Sequence, residues 1–220
     1  MKLLTKLLLL ASLAFGSLAF ASPAPNQEAP EAPDVLVKRI TMQVLDTAKS
    51  DKEIKAGNRK RIHELVETMI LPHVDFQRTT ALTVGRYWRE ATPQQKQQLT
   101  DEFRALLMYT YAGALSQVGD QKVVFKPLRA DPADNDVEVR FEVIQPRRAD
   151  PVQVSYRLYK TPDGWKVYDV NVLGVWLVQT YKENFAAEIG KGGIDGLIRT
   201  LAEKNRSLAE HADEGAKAAS

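Results

Sequence analysis

The chain has 220 residues, 44% of them hydrophobic, with 30 basic and 28 acidic side chains for a formal charge of +2, and no cysteine. Charges so nearly balanced and interspersed leave no basic footprint for nucleic acid and no net field for adhesion to an anionic surface. Without cysteine there is no disulfide framework, no thiolate metal site and no residue for a lipoprotein anchor.

Met1 to Ala21 reads as a secretory leader. Lys2 and Lys6 precede an apolar run from Leu7 to Leu18, and Ala19-Phe20-Ala21 has the small-x-small pattern of a signal-peptidase site. The run is shorter than the roughly 20 residues that span a bilayer, so cleavage rather than anchoring is expected. Both lysines leave with the leader, and the remaining chain is formally neutral. Residues 22–33, with Pro23, Pro25, Pro30 and Pro33, are expected to form a flexible lead-in. One domain is expected over 34–208, followed by a frayed, Ala-rich tail over 209–220.

Ile40 and Val44, with Leu36 or Val37, mark a first helix; Ile62, Leu65, Val66, Met69 and Ile70 mark a second, stopped by Pro72. Asp75 can cap a short helix carrying Phe76, Thr80 and Leu82, which Gly85 ends. Thr92-Pro93-Gln94-Gln95 combines a capping box with proline at the first helical position, and starts a long helix to about Val118. Its apolar stripe is Leu99, Phe103, Leu106, Leu107, Thr110 and Ala114.

The period then changes to two. Val123 and Phe125 begin it; Val137, Val139, Phe141 and Val143 alternate with Glu138, Arg140 and Glu142, and Val152, Val154, Tyr156 and Leu158 alternate with Gln153, Ser155 and Arg157. These predict half-buried antiparallel strands, the third turning at Thr161-Pro162-Asp163-Gly164 into a fourth from Trp165. On that strand Tyr168, Val170 and Val172 fall on one face and Trp165, Val167 and Asp169 on the other, so both sides are expected to be covered. Gly174 is expected to turn it directly into a helix on which Leu177, Tyr181, Phe185 and Ile189 recur. Gly190-Lys191-Gly192-Gly193 then separates two terminal helices, the last over about Ile194 to Leu208. Helices, a four-stranded meander, then helices define an α+β fold with a curved sheet cupped by helices.

Few groupings suit catalysis. His63, His73 and His211 have no metal-ligand spacing, no Gly-x-Ser-x-Gly elbow exists, and the Gly190 cluster lacks the strand and Lys-Ser/Thr ending of a phosphate loop. Asp169 is the one candidate acid or base, flanked by apolar residues that could raise its pKa; its structural reading is as an acceptor for backbone N–H groups or an arginine. What remains is apolar surface, which could close into a solid core or line a cavity, and pattern alone favours the solid core.

The Trp165-Lys166-Val167-Tyr168-Asp169-Val170 strand, the Gly174-Val175 corner, Tyr181 and Gly193-Ile194-Asp195-Gly196-Leu197 resemble the soluble periplasmic phospholipid-binding proteins of the Mla (toluene-tolerance, Ttg2) lipid transport system. Leu71-Pro72-His73-Val74-Asp75-Phe76, Ala91-Thr92-Pro93-Gln94-Gln95, Phe103, Leu107, Tyr109 and Tyr111 resemble the same family in order, so that the likeness spans about 35–205. Trp176 departs from it, standing where most members are expected to carry a small polar residue. The resemblance implies an NTF2-like cone with a large apolar cavity and no enzymatic activity. It implies no cofactor, the cargo being a glycerophospholipid shuttled across the periplasm to maintain outer-membrane asymmetry. It also implies two partners: an inner-membrane ABC transporter complex with an MCE-domain protein, and an outer-membrane lipoprotein–porin complex.

The cavity lining it implies begins with Ile70, Leu71, Phe76, Leu82, Val84, Tyr87 and Trp88, then Phe103, Leu106 and Leu107 of the long helix. From the sheet come Val137, Val139, Phe141, Val143, Val154, Tyr156, Leu158, Tyr168, Val170 and Val172, with Val175 and Trp176 at the corner. Two alternatives from other classes are an NTF2-like periplasmic enzyme using Asp169 and an interaction module filled by its own side chains.

Overall fold

The structure, a computed structural model, describes residues 31–146 and 150–218, with side chains described up to residue 211. The expected leader and residues 22–30 lie outside the described residues. Helices α1 (Pro33–Ser50), α2 (Lys52–Lys55), α3 (Arg59–Leu65), α4 (Phe76–Val84) and α5 (Pro93–Tyr111) precede strands β1 (Lys122–Phe125), β2 (Asp136–Ile144), β3 (Val152–Thr161), β4 (Gly164–Val172) and β5 (Val175–Trp176). A final helix, α6 (Leu177–Ala218), is broken at Gly193, where φ is 67° and ψ −171°. The break falls within the glycine cluster, and the second segment runs past the expected end at Leu208.

The helix ends follow their local chemistry. The Thr92 side chain accepts the Gln95 N–H at 3.2 Å while the Gln95 side chain accepts the Thr92 N–H at 3.0 Å. Asp75 accepts the Arg78 N–H at 2.8 Å, and Gly85, at a φ of 64°, closes α4. Between α3 and α4 the chain makes a widened turn over Val66–Ile70 and a tight one over Leu71–His73, so the second helix ends before Pro72 by changing its winding.

The sheet is antiparallel and open, in the order β1-β2-β3-β4-β5. It has five strands where four were expected. The fifth arises because Leu173 and Gly174, with φ of 54° and 87°, form a tight hairpin that pairs Val172 with Val175 before α6 begins.

Strand β4 departs from the simple alternation expected of it. Arg157 pairs with Asp169 but Leu158 with Val167, so Tyr168 is an extra residue, a β-bulge. The bulge resets the alternation: Trp165 and Val167 share a face with Val170 and Val172, opposite Leu158, Tyr156 and Val154, while Asp169 and Asn171 lie on the other face with Arg157 and Ser155. One face is therefore apolar and the other polar, rather than both being largely apolar and covered.

The buried apolar residues fall into three groups. Leu36 and Val37 of α1 pack on the apolar sheet face with Val137, Val139, Phe141, Val152, Val154 and Leu158. Val84, Leu99, Phe103 and Leu106 pack against Phe185, Ile189, Leu197 and Leu201, joining α4, α5 and both segments of α6. Val44, Ala48, Ile54, Ile62, Leu65, Val66 and Ala112 join the first three helices to the end of α5.

Candidate functional site

The expected lining residues are distributed among these groups. Val137, Val139, Phe141, Val154 and Leu158 are buried on the sheet's apolar face with Val143 and Tyr156 partly covered beside them. Val84, Phe103 and Leu106 are buried in the helical layer, flanked by Tyr87, Trp88 and Leu107. Ile70 and Leu71 flank the third group, and Phe76 and Val170 are half-buried.

Three of the expected residues are exposed: Leu82 at 40%, Val172 at 45% and Val175 at 60%. In α4 the buried positions are instead Thr79, Thr80, Thr83 and Val84. Each threonine satisfies its hydroxyl on the helix's own carbonyls, Thr79 on Asp75 at 2.9 Å, Thr80 on Phe76 at 2.6 Å and Thr83 on Thr79 at 2.8 Å, and so can face the interior while Leu82 faces out. Tyr168 and Trp176 belong to the polar face, the first because of the bulge and the second because it pairs with Asn171. Sequence reasoning placed Trp165 and Val167 on the opposite side, yet both are half-buried against the apolar face. A bulge leaves no mark in the hydrophobic pattern of its own strand.

On the polar face a cluster forms around Arg78. Its guanidinium lies 4.0 Å from the centre of the Tyr159 ring and 4.6 Å from that of Tyr168, and 3.5 Å from Asp136. The Tyr168 hydroxyl donates to Asp136 at 2.8 Å; burial first, and then this bond, push its pKa up to about 12. The Tyr159 hydroxyl donates to Asp75, the cap of α4. Asp75 also donates its own N–H to the Val167 carbonyl at 2.9 Å, so the cluster fixes the start of α4 beside β4.

Asp169 is 3% exposed. Its Oδ1 accepts the Val170 N–H at 2.9 Å and the Val178 N–H at 3.0 Å, and its Oδ2 lies 3.6 Å from Arg157, whose guanidinium covers the Trp176 ring at 3.8 Å. Burial raises its pKa, against the two backbone bonds and Arg157. Oδ1 thus ties the first turn of α6 to β4 while Oδ2 faces Arg157 of β3, the structural reading of this residue. Among the described residues, no group of His, Asp or Glu side chains is arranged to hold a metal ion.

Tyr156 stands apart from the buried residues of its face. It keeps part of its surface accessible, and burial of the rest raises the pKa of its hydroxyl. Val167 and Val170, on the same face, are also incompletely covered. Two open clefts lie elsewhere: about 220 Å³ beside Gln77, Pro93, Lys96, Gln97 and Thr100, and about 270 Å³ beside Glu188, Lys191, Gly192 and Arg199. Both are lined mainly by polar and charged side chains, and neither is the large apolar cavity expected from the sequence.

These features define an α+β protein whose sheet turns an apolar, incompletely covered face toward its helices and whose buried carboxylate serves the backbone. Residues 38–203 match the sequence model of the MlaC protein family. The intermembrane phospholipid transport system binding protein MlaC of Haemophilus influenzae is 22% identical over 172 residues, 77% of this chain and 80% of that protein. The toluene tolerance protein ttg2D of Pseudomonas putida is 27% identical over 168 residues, 76% of this chain and 77% of that one. Among solved structures, the phospholipid-binding protein from Ralstonia solanacearum in complex with a phospholipid superposes with a TM-score of 0.77 at 46% identity, covering 81% of this chain and 99% of that one. The chain belongs to the MlaC family.

Proposed function

We propose that this protein is a periplasmic carrier of glycerophospholipids, without catalytic activity, that holds the acyl chains between the apolar sheet face and the helices. The observation that carries the proposal is the sheet's apolar face, on which Tyr156, Val167 and Val170 lie side by side and keep part of their surface accessible. Well-formed interiors are close-packed, and apolar side chains that stay partly accessible are where a flexible apolar ligand adds contacts that the protein does not supply itself. The Ralstonia solanacearum relative, solved with a phospholipid, supports the choice of ligand. In this reading the sheet and helices form the cup of an NTF2-like cone. Its lining comprises Tyr156, Val167 and Val170 with the half-buried Ile70, Leu71, Phe76 and Leu107.

The energetics suit a carrier. Two chains of about 16 carbons are worth on the order of 25 kcal/mol relative to water, at about 0.8 kcal/mol per methylene, so a lipid does not escape into solution. Exchange with a bilayer or with another protein's apolar cavity is nearly balanced, because the methylenes are dry at both ends. The protein lowers the cost of the aqueous crossing, and direction comes from partners. In this family reading the partners are an inner-membrane ABC transporter complex with an MCE-domain protein and an outer-membrane lipoprotein–porin complex. The headgroup stays at the mouth, in water, since burying a phosphate unpaired is costly.

Transfer of a fluorescent phospholipid from donor to acceptor vesicles tests the proposal. Catalytic amounts of protein are expected to accelerate transfer, with the lipid recovered chemically unchanged. A rate no faster than the spontaneous one, or a hydrolysed product, contradicts it.

A further inference from the structure

The β4–β5 hairpin carries exposed apolar side chains: Val172 and Val175 continue the sheet's apolar face, and Leu173 stands at the turn beyond it. Val172 is 45% exposed, Leu173 53% and Val175 60%, three of the large hydrophobic residues most open to water in the described chain. Leu173 has a φ of 54°, a backbone conformation that most residues with a Cβ disfavour and that glycine, and asparagine more than other residues, adopt. The turn is nonetheless well anchored. The Leu173 N–H donates to the Gln153 carbonyl at 2.9 Å and the Gly174 N–H to the Asn171 side chain at 3.0 Å, so the leucine is held outward by a defined geometry. No charged residue occurs from Val170 to Tyr181. Behind the tip, Trp176 lies under the Arg157 guanidinium at 3.8 Å, an aromatic and cationic pair of the kind that sits at the level of lipid headgroups. Ile144, 39% exposed, closes β2 at the same end of the sheet.

We propose that this hairpin tip is a membrane-contact wedge, with Leu173 entering the outer part of a lipid bilayer and Trp176 and Arg157 remaining at its polar boundary. The inference rests on the carrier reading, in which cargo passes to or from a membrane. Size decides between bilayer and protein as the occupant. A specific protein interface needs about 800 Å² from each partner, far more than one hairpin tip of three side chains presents, whereas a bilayer accepts a small convex apolar tip without a matching surface. The strain at Leu173 and its exposure then have one explanation, since the contact that offsets both lies outside the molecule.

The chain has no cysteine, so a single one introduced at Leu173→Cys can carry an environment-sensitive fluorophore in the full-length exported protein. Asp163→Cys, in the β3–β4 turn at the opposite end of the sheet, serves as the control. With vesicles of phosphatidylethanolamine and phosphatidylglycerol, the label at 173 is expected to shift to the blue in protein that floats with the vesicles, and the label at 163 to stay unchanged. Leu173→Asn, which relieves the strained φ and removes the apolar group, is expected to bind vesicles about tenfold more weakly with no fall in melting temperature. A label at 173 that stays in water, a shift confined to protein that does not float, or equal vesicle binding by wild type and Leu173→Asn overturns the proposal. The lipid content of the purified protein separates this outcome from failure of the carrier reading. Bound phospholipid with a silent label removes the wedge alone, and an inserting tip on a protein that holds no lipid removes the carrier.

Discussion

Replacing Asp169 separates what its oxygen atoms contribute from what its charge contributes. Asp169→Ala leaves the Val170 and Val178 N–H groups, now at 2.9 and 3.0 Å from Oδ1, without a partner. Each unsatisfied, partly buried donor costs about 1–3 kcal/mol, so the alanine variant is expected to lose about 3 kcal/mol. Asp169→Asn keeps an oxygen acceptor in the same place and gives up only the pairing with the half-exposed Arg157 at 3.6 Å. Such a pair is worth at most about 1 kcal/mol, and removing a charge that burial disfavours offsets part of it, so the asparagine variant should stay within about 1 kcal/mol of wild type. In urea unfolding at neutral pH, with a slope of about 2 kcal/mol per molar, the alanine midpoint should fall by about 1.5 M and the asparagine midpoint by less than about 0.5 M. The pH dependence adds a second sign. Burial holds the folded pKa above the ordinary value of 3.8, so between that value and the folded pKa the native state binds more protons than the unfolded one. This group's contribution therefore declines as pH rises through that window, and Asp169→Asn lacks the decline. An asparagine variant as unstable as the alanine one would show that Asp169 does not act through its backbone acceptors.

Gly193→Ala, at a φ of 67° and ψ of −171° that only glycine adopts comfortably, should cost about 1–3 kcal/mol in urea unfolding, whereas Gly190→Ala, helical and with open space around its added methyl, should gain about 0.5–1 kcal/mol. Leu158→Ala, at a fully buried position, should lose about 2–5 kcal/mol, and Leu82→Ala, on the exposed side of α4, less than about 1 kcal/mol; similar losses at both would contradict the placement of α4. Val170→Glu should retain the wild-type circular dichroism spectrum while losing bound phospholipid, because it puts an ionisable group among the acyl chains. A folded Val170→Glu with a full lipid complement removes this residue from the proposed lining.

The parts of the fold that were legible in the sequence are those decided within a few residues. Thr92 with Gln95, Asp75, Gly85 and Gly193 each place an end or a break by their own hydrogen bonds or backbone angle, and β2 and β3 keep an unbroken alternation. The misplaced residues depend on partners distant in sequence. The bulge at Tyr168 is set by how β4 pairs with β3, and it reverses the face of Trp165 and Val167 without altering their hydrophobicity. The hairpin at Leu173 carries no turn residue at its first position, so the strand reads as running straight into a helix. In α4, hydropathy selects Leu82 for the interior, but Thr79, Thr80 and Thr83 occupy it because the helix satisfies their hydroxyls. The Arg78 cluster gave no signal at all, since Asp75, Arg78, Asp136, Tyr159 and Tyr168 meet only when α4 docks beside β4.

Organic extraction of the purified protein, expressed from its full sequence and recovered from the periplasm, followed by mass spectrometry of the extract, tests the central claim most directly. The account predicts intact glycerophospholipid in near-stoichiometric amount that survives extensive washing and is lost in Val170→Glu. Protein that is folded, correctly exported and free of lipid, and that stays free of it after incubation with phospholipid vesicles, would contradict the account.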